Sequence, residues 1–146
     1  MKHTLFTFLF FLTVFATAQG HKQVVWKFSL EKSGKDYVIK MDATIESGWH
    51  IYSQNIKGDG PVPTSFSFEL PKGAKLNGKT KEPQATEVFD ESFGMKVKYF
   101  SKSVVFTQII SGKLNKEQVI KGTVNYMICN DQMCLPPVDV PFEIKL

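Results

Sequence analysis

The feature that most constrains the fold of this chain is an alternation of apolar and polar residues with a period of two. In the segment YVIKMDATIE, residues 37–46, the odd positions are apolar and the even positions are mostly polar. The closing segment VDVPFEIKL, residues 138–146, places its apolar side chains at every second position in the same way. Because successive side chains of a strand point to opposite faces of a sheet, these patterns predict half-buried β-strands.

Turn signals divide the alternating runs into several short strands. Pairs such as Asn77-Gly78 and Ser111-Gly112 favour turns, and no segment has a helical period over ten residues or more. Seven or so strands joined by regular turns predict an all-β, antiparallel β-sandwich. Residues 97–110 are expected to form one longer strand. Residues 72–96 are less regular and are expected to cross between the sheets as a loop with short strand pieces.

The N-terminal segment has the pattern of an export signal. Lys2 precedes an apolar run over residues 5–15, and the sequence Ala16-Thr17-Ala18 follows. This order matches a cleavable signal peptide, so we predict a signal peptide at residues 1–18 and one domain at residues 19–146. An uncleaved anchor is the alternative. An exported domain would reach a compartment where disulfides persist.

The charge of the chain does not indicate a nucleic-acid partner. The formal net charge is +4, and every basic residue is a lysine. Recognition of phosphate and guanine relies heavily on the planar fork of arginine, which this chain lacks. The lysines are also scattered singly along the sequence, so we expect no nucleic-acid binding.

The only two cysteines lie in the segment NYMICNDQMCLPP, residues 125–137. Four residues separate Cys129 from Cys134, and this spacing would place the two cysteines opposite each other across a hairpin. Opposed residues of antiparallel strands lie about 4.5 to 5.5 Å apart at Cα, which allows a disulfide. A bond that closes so short a loop stabilises the fold by only about 2 kcal/mol in the chain-entropy estimate.

Three interpretations of the cysteine pair remain open from the residues alone. A reversible redox pair is favoured because both cysteines are expected at an exposed hairpin tip, where a partner thiol could reach them. Pro136 and Pro137 would keep the strand edge beside Cys134 free of ladder hydrogen bonds. A structural bridge in a binding domain is the second interpretation. The third is a Cu(I) site, because Met127 and Met133 add two soft sulfur ligands.

Other candidate residues carry weaker signals. His50 lies among aromatic residues in GWHIYSQN and is expected to pack rather than to catalyse. The segment DESFG would bring the carboxylates of Asp90 and Glu91 next to the ring of Phe93, although it could equally be a solvated loop tip. The chain has no nucleophile motif and no phosphate-binding loop. Apart from the Cu(I) alternative, we expect no metal and no other cofactor.

Three segments together resemble the N-terminal periplasmic domain of the thiol:disulfide interchange protein DsbD. They are GWHIYSQNIKGDGPVPTSFSFE, FDESFG and YMICNDQMCLPP, at residues 48–69, 89–94 and 126–137. Their order matches the family and they span most of the predicted domain. The resemblance implies an immunoglobulin-like fold and a monomer that acts as an electron-relay component of a protein-disulfide reductase, rather than as a stand-alone catalyst.

The resemblance also implies roles for individual residues. Cys134 would form the mixed disulfide with a partner, and Cys129 would resolve it. Phe93 would form the lid of a cap loop with Asp90 and Glu91 at its base.

His50 and Tyr52 would be neighbours of the sulfur atoms, with His50 at a position where the family often has tyrosine. The spacing of the cysteines is one residue shorter than in the best-known members.

The partners that the resemblance implies are other exported or membrane-bound thiol proteins. A thioredoxin-like domain of a membrane thiol reductase would supply electrons. Exported disulfide isomerases or cytochrome c maturation proteins would receive them in the periplasm.

Overall fold

The computed structural model describes residues 20–146 of the chain. The predicted signal peptide at residues 1–18 lies outside the described residues. Within residues 20–146 there is no helix that is long and apolar enough to cross a membrane. The described residues form ten β-strands: β1 (Val24–Ser33), β2 (Asp36–Ile45), β3 (His50–Tyr52), β4 (Ser65–Glu69), β5 (Ala74–Lys81), β6 (Thr86–Asp90), β7 (Met95–Ser101), β8 (Ser103–Gly112), β9 (Val119–Cys129) and β10 (Cys134–Lys145).

The strands form two antiparallel sheets packed face to face. One sheet has four strands in the order β1-β2-β8-β5. The other has six strands, with the order β10-β9-β3-β7-β6 and with β4 paired to β9 next to β3. The prediction of an immunoglobulin-like antiparallel β-sandwich is therefore confirmed.

The main core lies between the two sheets and follows the predicted alternation. The odd-numbered residues of β2 from Ile39 to Ile45 are buried, whereas Lys40 is only half-buried. The rings of Phe28 in β1 and Phe142 in β10 stack at 4.1 Å between centroids, which joins the two sheets at their edges. Burial of these apolar faces is the main favourable term that holds the sandwich together.

Two predictions about strand boundaries are wrong. Residues 97–110 do not form one strand, because the chain turns at Lys102, which has a φ of 66°. The segment before Lys102 belongs to β7 in the six-stranded sheet, and the segment after it belongs to β8 in the four-stranded sheet. Residues 72–96 cross between the sheets as predicted, from β5 in one to β6 in the other, but they are not mainly loop, since they contain β5, β6 and the first residues of β7. Polar side chains on exposed edge strands hid the alternation there.

A second, smaller apolar cluster lies on the outer face of the six-stranded sheet. In β3, Ile51 points into the main core, so its neighbour Tyr52 points to the opposite face. Tyr52, Val97 and Cys129 are buried there, and we call these three residues the outer cluster. The side chains packed against the outer cluster belong to Ile56, Phe93, Met95, Tyr99 and Met127.

Candidate functional site

The two cysteines close a hairpin between the two longest strands. Cys129 is the last residue of β9 and Cys134 is the first residue of β10, and the two are register partners. Their Cα atoms lie 4.0 Å apart and their sulfur atoms form a disulfide. The sequence prediction that the spacing allows a disulfide is therefore confirmed.

The turn between the cysteines is fixed by its first residue. The side-chain oxygen Oδ1 of Asn130 accepts hydrogen bonds from the backbone N–H groups of Gln132 at 2.9 Å and Met133 at 2.8 Å. The backbone N–H of Asn130 donates to the carbonyl of Met133 at 2.9 Å. Asparagine favours such turns because its short side chain replaces a backbone acceptor. The turn thus holds Cys134 directly across from Cys129.

The two sulfur-bearing residues differ strongly in their contact with solvent. Cys129 is only 1% exposed, because its side chain lies in the outer cluster. Cys134 is exposed at the start of β10. The prediction that both cysteines are exposed at a hairpin tip is therefore wrong for Cys129. Strand β9 is central in its sheet, so its last residue is covered on both sides, whereas β10 is an edge strand.

The edge beside Cys134 is irregular at the two prolines. The register between β9 and β10 shifts between Leu135 and Val138, so Pro136 and Pro137 have no partner in β9. The freed carbonyl of Pro136 accepts a hydrogen bond from Nε2 of His21 at 2.6 Å. Prolines without backbone N–H groups protect an edge strand from further strand pairing. The exposed cysteine therefore begins a strand whose first part is not a continuous hydrogen-bonded ladder.

The segment DESFG forms the turn of the hairpin between β6 and β7. Asp90 closes β6, and its Oδ1 accepts hydrogen bonds from the backbone N–H groups of Ser92 at 2.9 Å and Phe93 at 3.4 Å. Gly94 completes the turn with a φ of 64°, a conformation that glycine adopts without strain. The half-buried ring of Phe93 meets the ring of Tyr52 edge to face, with 6.2 Å between centroids. The turn therefore packs onto the outer cluster that contains Cys129.

His50 is the cross-strand neighbour of Cys129. The two residues are register partners in β3 and β9, so their side chains lie on the same face of the sheet. Nε2 of His50 lies 3.2 Å from the hydroxyl oxygen of Tyr52. Burial lowers the pKa of His50 below its usual 6.5, although the negative charges of Asp90 and Asp131 act in the opposite direction. A lowered pKa keeps the imidazole neutral at neutral pH.

Tyr52 connects His50 to the turn of residues 90–94, which we call the cap turn. Its side chain is fully buried, and burial raises the pKa of its hydroxyl. The nearby carboxylate of Asp90 raises this pKa further. The hydroxyl therefore stays protonated at neutral pH, 3.2 Å from Nε2 of His50.

A groove of about 310 Å³ separates the cap turn from the cysteine turn. The predicted site residues His50, Asp90 and Glu91 line it. The groove is also lined by Tyr99 and Asp131, which are not among the predicted site residues. The alternation in β7 could have placed Tyr99 on the face of Val97, whereas only the hairpin register brings Asp131 to His50.

The soft sulfur atoms that suggested a Cu(I) site are separated by their environments. Met127 is half-buried against the outer cluster, whereas Met133 is 55% exposed in the cysteine turn. In this form, both cysteine sulfurs are joined to each other, and a disulfide sulfur is not the thiolate that soft metals select.

A β-sandwich with one reachable sulfur in a short hairpin disulfide fits the class of thiol–disulfide exchange modules. A sequence profile of the family described as "Thiol:disulfide interchange protein DsbD, N-terminal" matches residues 17–145. The chain belongs to this family. The resemblance stated from the three sequence segments is therefore confirmed.

Solved structures show that the fold is shared. The N-terminal domain of DsbD from Neisseria meningitidis in the reduced form is 19% identical, with a TM-score of 0.63 and 86% of each chain covered. The N-terminal periplasmic domain of ScsB from Proteus mirabilis is 16% identical with a TM-score of 0.65, over 86% of this chain and 47% of that one.

A third similar structure is the complex between the DsbD N-terminal and PilB N-terminal domains from Neisseria meningitidis. It is 18% identical with a TM-score of 0.56, over 84% of this chain and 83% of that one. The comparison with curated proteins gives no match.

Proposed function

We propose that this domain relays electrons between exported thiol proteins by breaking and remaking the Cys129–Cys134 disulfide. The main support for this proposal is the difference in solvent exposure between the two cysteines. A partner thiolate needs one sulfur that it can approach, and a second thiol must lie close enough to resolve the mixed disulfide. Cys134 is exposed and Cys129 is buried directly opposite it, which suits this division of roles.

In the direction of client reduction, Cys134 acts as the attacking thiolate. It forms a mixed disulfide with one sulfur of the client, and the other client sulfur leaves. Cys129 then attacks the sulfur of Cys134 and releases the client in its reduced form. Two electrons pass to the client, and the domain returns to the disulfide form.

The cap turn protects the reduced pair between encounters. Phe93 packs on the outer cluster that contains Cys129, and Asp90 holds the turn through two backbone N–H groups. An aromatic side chain over the pair would keep out small oxidants, and a docking partner would displace it. Glu91 is exposed at the base of the turn, where it can face a partner.

The partners follow from the family and from the proposed export. We propose that a signal peptide at residues 1–18 directs a domain of residues 19–146 to the periplasm. A thioredoxin-like domain of a membrane thiol reductase would reduce the Cys129–Cys134 disulfide again after each turnover. The clients would be exported disulfide isomerases or cytochrome c maturation proteins. A DsbD N-terminal domain of Neisseria meningitidis forms a complex with a PilB N-terminal domain, which supports a protein partner for this fold.

Two matched single-cysteine variants test the proposed roles. Cys129→Ser keeps the exposed Cys134 and should form a stable mixed disulfide with a thioredoxin variant that has only its attacking cysteine. Cys134→Ser keeps only the buried Cys129 and should trap at least about tenfold more slowly. Equal trapping through both cysteines, measured by mass spectrometry of non-reduced samples, would contradict the assignment.

A further inference from the structure

We propose that His50 is the general base for the resolving cysteine, Cys129, and that Tyr52 and Asp90 orient it. This inference rests on the proposed exchange function and assigns a residue to the step that this function requires. Its basis is a continuous series of contacts from the cap turn to Cys129. No part of the series depends on the identity of the client.

Cys129 needs a protein base because solvent does not reach it. The thiolate is the form that attacks a disulfide, and burial disfavours a charged sulfur. Cys129 is 1% exposed and lies with Tyr52 and Val97 in the outer cluster. The proton of its thiol must therefore pass to a neighbouring group before the thiolate can resolve a mixed disulfide.

His50 is the titratable group in register with Cys129. The two residues are paired across β3 and β9, so their side chains extend from the same face of the sheet. The other charged or titratable groups that face His50 or line the same groove are Tyr52, Tyr99, Asp90, Glu91 and Asp131. A tyrosine hydroxyl is too weak a base, and a carboxylate is normally a weaker base than a neutral imidazole.

The hydrogen bonds around His50 leave one ring nitrogen free to accept a proton. Nε2 of His50 lies 3.2 Å from the Tyr52 hydroxyl, so this contact occupies that ring nitrogen. A neutral imidazole with its proton on Nε2 has an unprotonated Nδ1. Nδ1 is also the ring nitrogen nearer to the main chain, which at His50 lies in register with Cys129. This order of nucleophile, base and orienting groups is the arrangement that activates a nucleophile.

The proposed step is balanced in atoms and electrons. In the mixed disulfide, Nδ1 of His50 takes the proton of the Cys129 thiol. The Cys129 thiolate attacks the sulfur of Cys134, the bond between Cys134 and the client breaks, and the client sulfur leaves with the electron pair. The imidazolium returns its proton to the leaving thiolate or to water. Asp90 and Asp131 stabilise the transient imidazolium, since both raise the pKa of His50 against the effect of burial.

The experiment follows the resolving step with oxidised glutathione as the client disulfide. Reduced protein is mixed with it without oxygen, quenched with acid at set times, and analysed by mass spectrometry for the mixed disulfide. General-base catalysis contributes about 100-fold to 10,000-fold, so His50→Phe should prolong the mixed disulfide at least about tenfold at pH 7. The parent rate should rise with pH only until His50 is deprotonated, whereas the rate of His50→Phe should keep rising with the thiolate fraction of Cys129.

Two further variants keep the inference falsifiable. His50→Gln retains a hydrogen-bonding side chain without a titration in this range, and it decides the result if His50→Phe does not fold. Tyr52→Phe removes the orienting hydroxyl and should slow the step less than His50→Phe does. Tyr37→Phe removes a hydroxyl at the other end of the sandwich, and it should leave the rate unchanged within about twofold.

The outcomes separate this inference from the proposed function. Resolution in His50→Phe within about twofold of the parent, with the same pH profile, would overturn the role of His50 and leave the exchange function standing. If the reduced parent protein does not react with oxidised glutathione, so that neither the mixed disulfide nor the Cys129–Cys134 disulfide forms, the exchange function itself is contradicted. A slow resolving step in both His50 variants, with a rate that keeps rising with pH above neutrality, would support the inference.

Discussion

The ring of Phe93 lies edge-on to the ring of Tyr52, with an angle of 86° between the ring planes. Phe93 belongs to the turn between β6 and β7, whereas Tyr52 belongs to β3 and is buried beside Cys129. This contact connects the turn of residues 90–94 to the cluster that contains Cys129, the proposed resolving cysteine. Under the proposed function, the turn covers the cysteine pair only while this contact holds.

Replacement of Phe93 by alanine should speed air oxidation of the reduced protein several-fold and leave the fold intact. The ring is only half-buried, so its loss should lower the free energy of unfolding by less than about 2 kcal/mol. Phe89→Ala is the matched control, because Phe89 lies on the same hairpin and is 63% exposed. Free-thiol titration over time measures the rate. Equal oxidation rates for Phe93→Ala and the parent would contradict the proposed role of Phe93 as a lid.

Two substitutions of Asp90 should separate its hydrogen-bonding role from its charge. Asp90→Ala removes the acceptor that holds the backbone N–H groups of Ser92 and Phe93, so it should speed oxidation as Phe93→Ala does. Asp90→Asn keeps a side-chain acceptor and should preserve the lid. It also removes a negative charge that raises the pKa of His50, so that pKa should fall further. Thiol titration and an NMR titration of the imidazole measure the two effects. Identical oxidation rates in Asp90→Ala and Asp90→Asn would contradict the turn-holding role.

The stability of the oxidised protein should depend on His50 at mildly acidic pH. The folded-state pKa of His50 lies below the usual 6.5, so the unfolded chain binds more protons as the pH falls through 6.5. This contribution to stability is present above pH 6.5 and is lost as the pH falls towards the folded-state pKa. Urea unfolding at pH 7.5, 6.5 and 5.5 should therefore show a steeper loss for the parent than for His50→Gln. Parallel curves would contradict the predicted protonation behaviour.

Reduction of the disulfide should leave the sandwich folded. The bond closes a loop that the hairpin hydrogen bonds already close, and its chain-entropy contribution is about 2 kcal/mol. Urea unfolding of oxidised and reduced protein at pH 7 should give the same folded signal and a difference of about that size. A Cys129→Ser, Cys134→Ser double variant that fails to fold would identify the bond as a structural requirement instead.

The sandwich could be predicted from the sequence because its long strands have one buried and one exposed face. The alternation in residues 37–46 and 138–146 reports that environment directly. The edge strands β5 and β6 could not be recognised, since few of their side chains are buried. Neither strand therefore has the regular alternation of apolar and polar residues that marks a half-buried strand. The change of sheet at Lys102 depends on a positive φ in a lysine, which nothing in the local sequence indicates.

The site could be predicted only in part for a similar physical reason. The spacing of Cys129 and Cys134 determines their pairing across a short hairpin. The burial of Cys129 and its register with His50 depend on the central position of β9 and on its pairing with β3, which are contacts between distant segments. The role of Asp90 as a turn-forming residue is local, and its position before a turn containing glycine is a recognisable signal.

A redox titration of the Cys129–Cys134 bond tests the central claim most directly. The native protein is equilibrated in glutathione and dithiothreitol buffers, and the reduced fraction is measured by thiol labelling and mass spectrometry. A bond that is broken and remade should have a reduction potential in the range of known exchange proteins, roughly −120 to −270 mV. A potential below about −300 mV, or resistance of the native protein to mild dithiols, would contradict the exchange function.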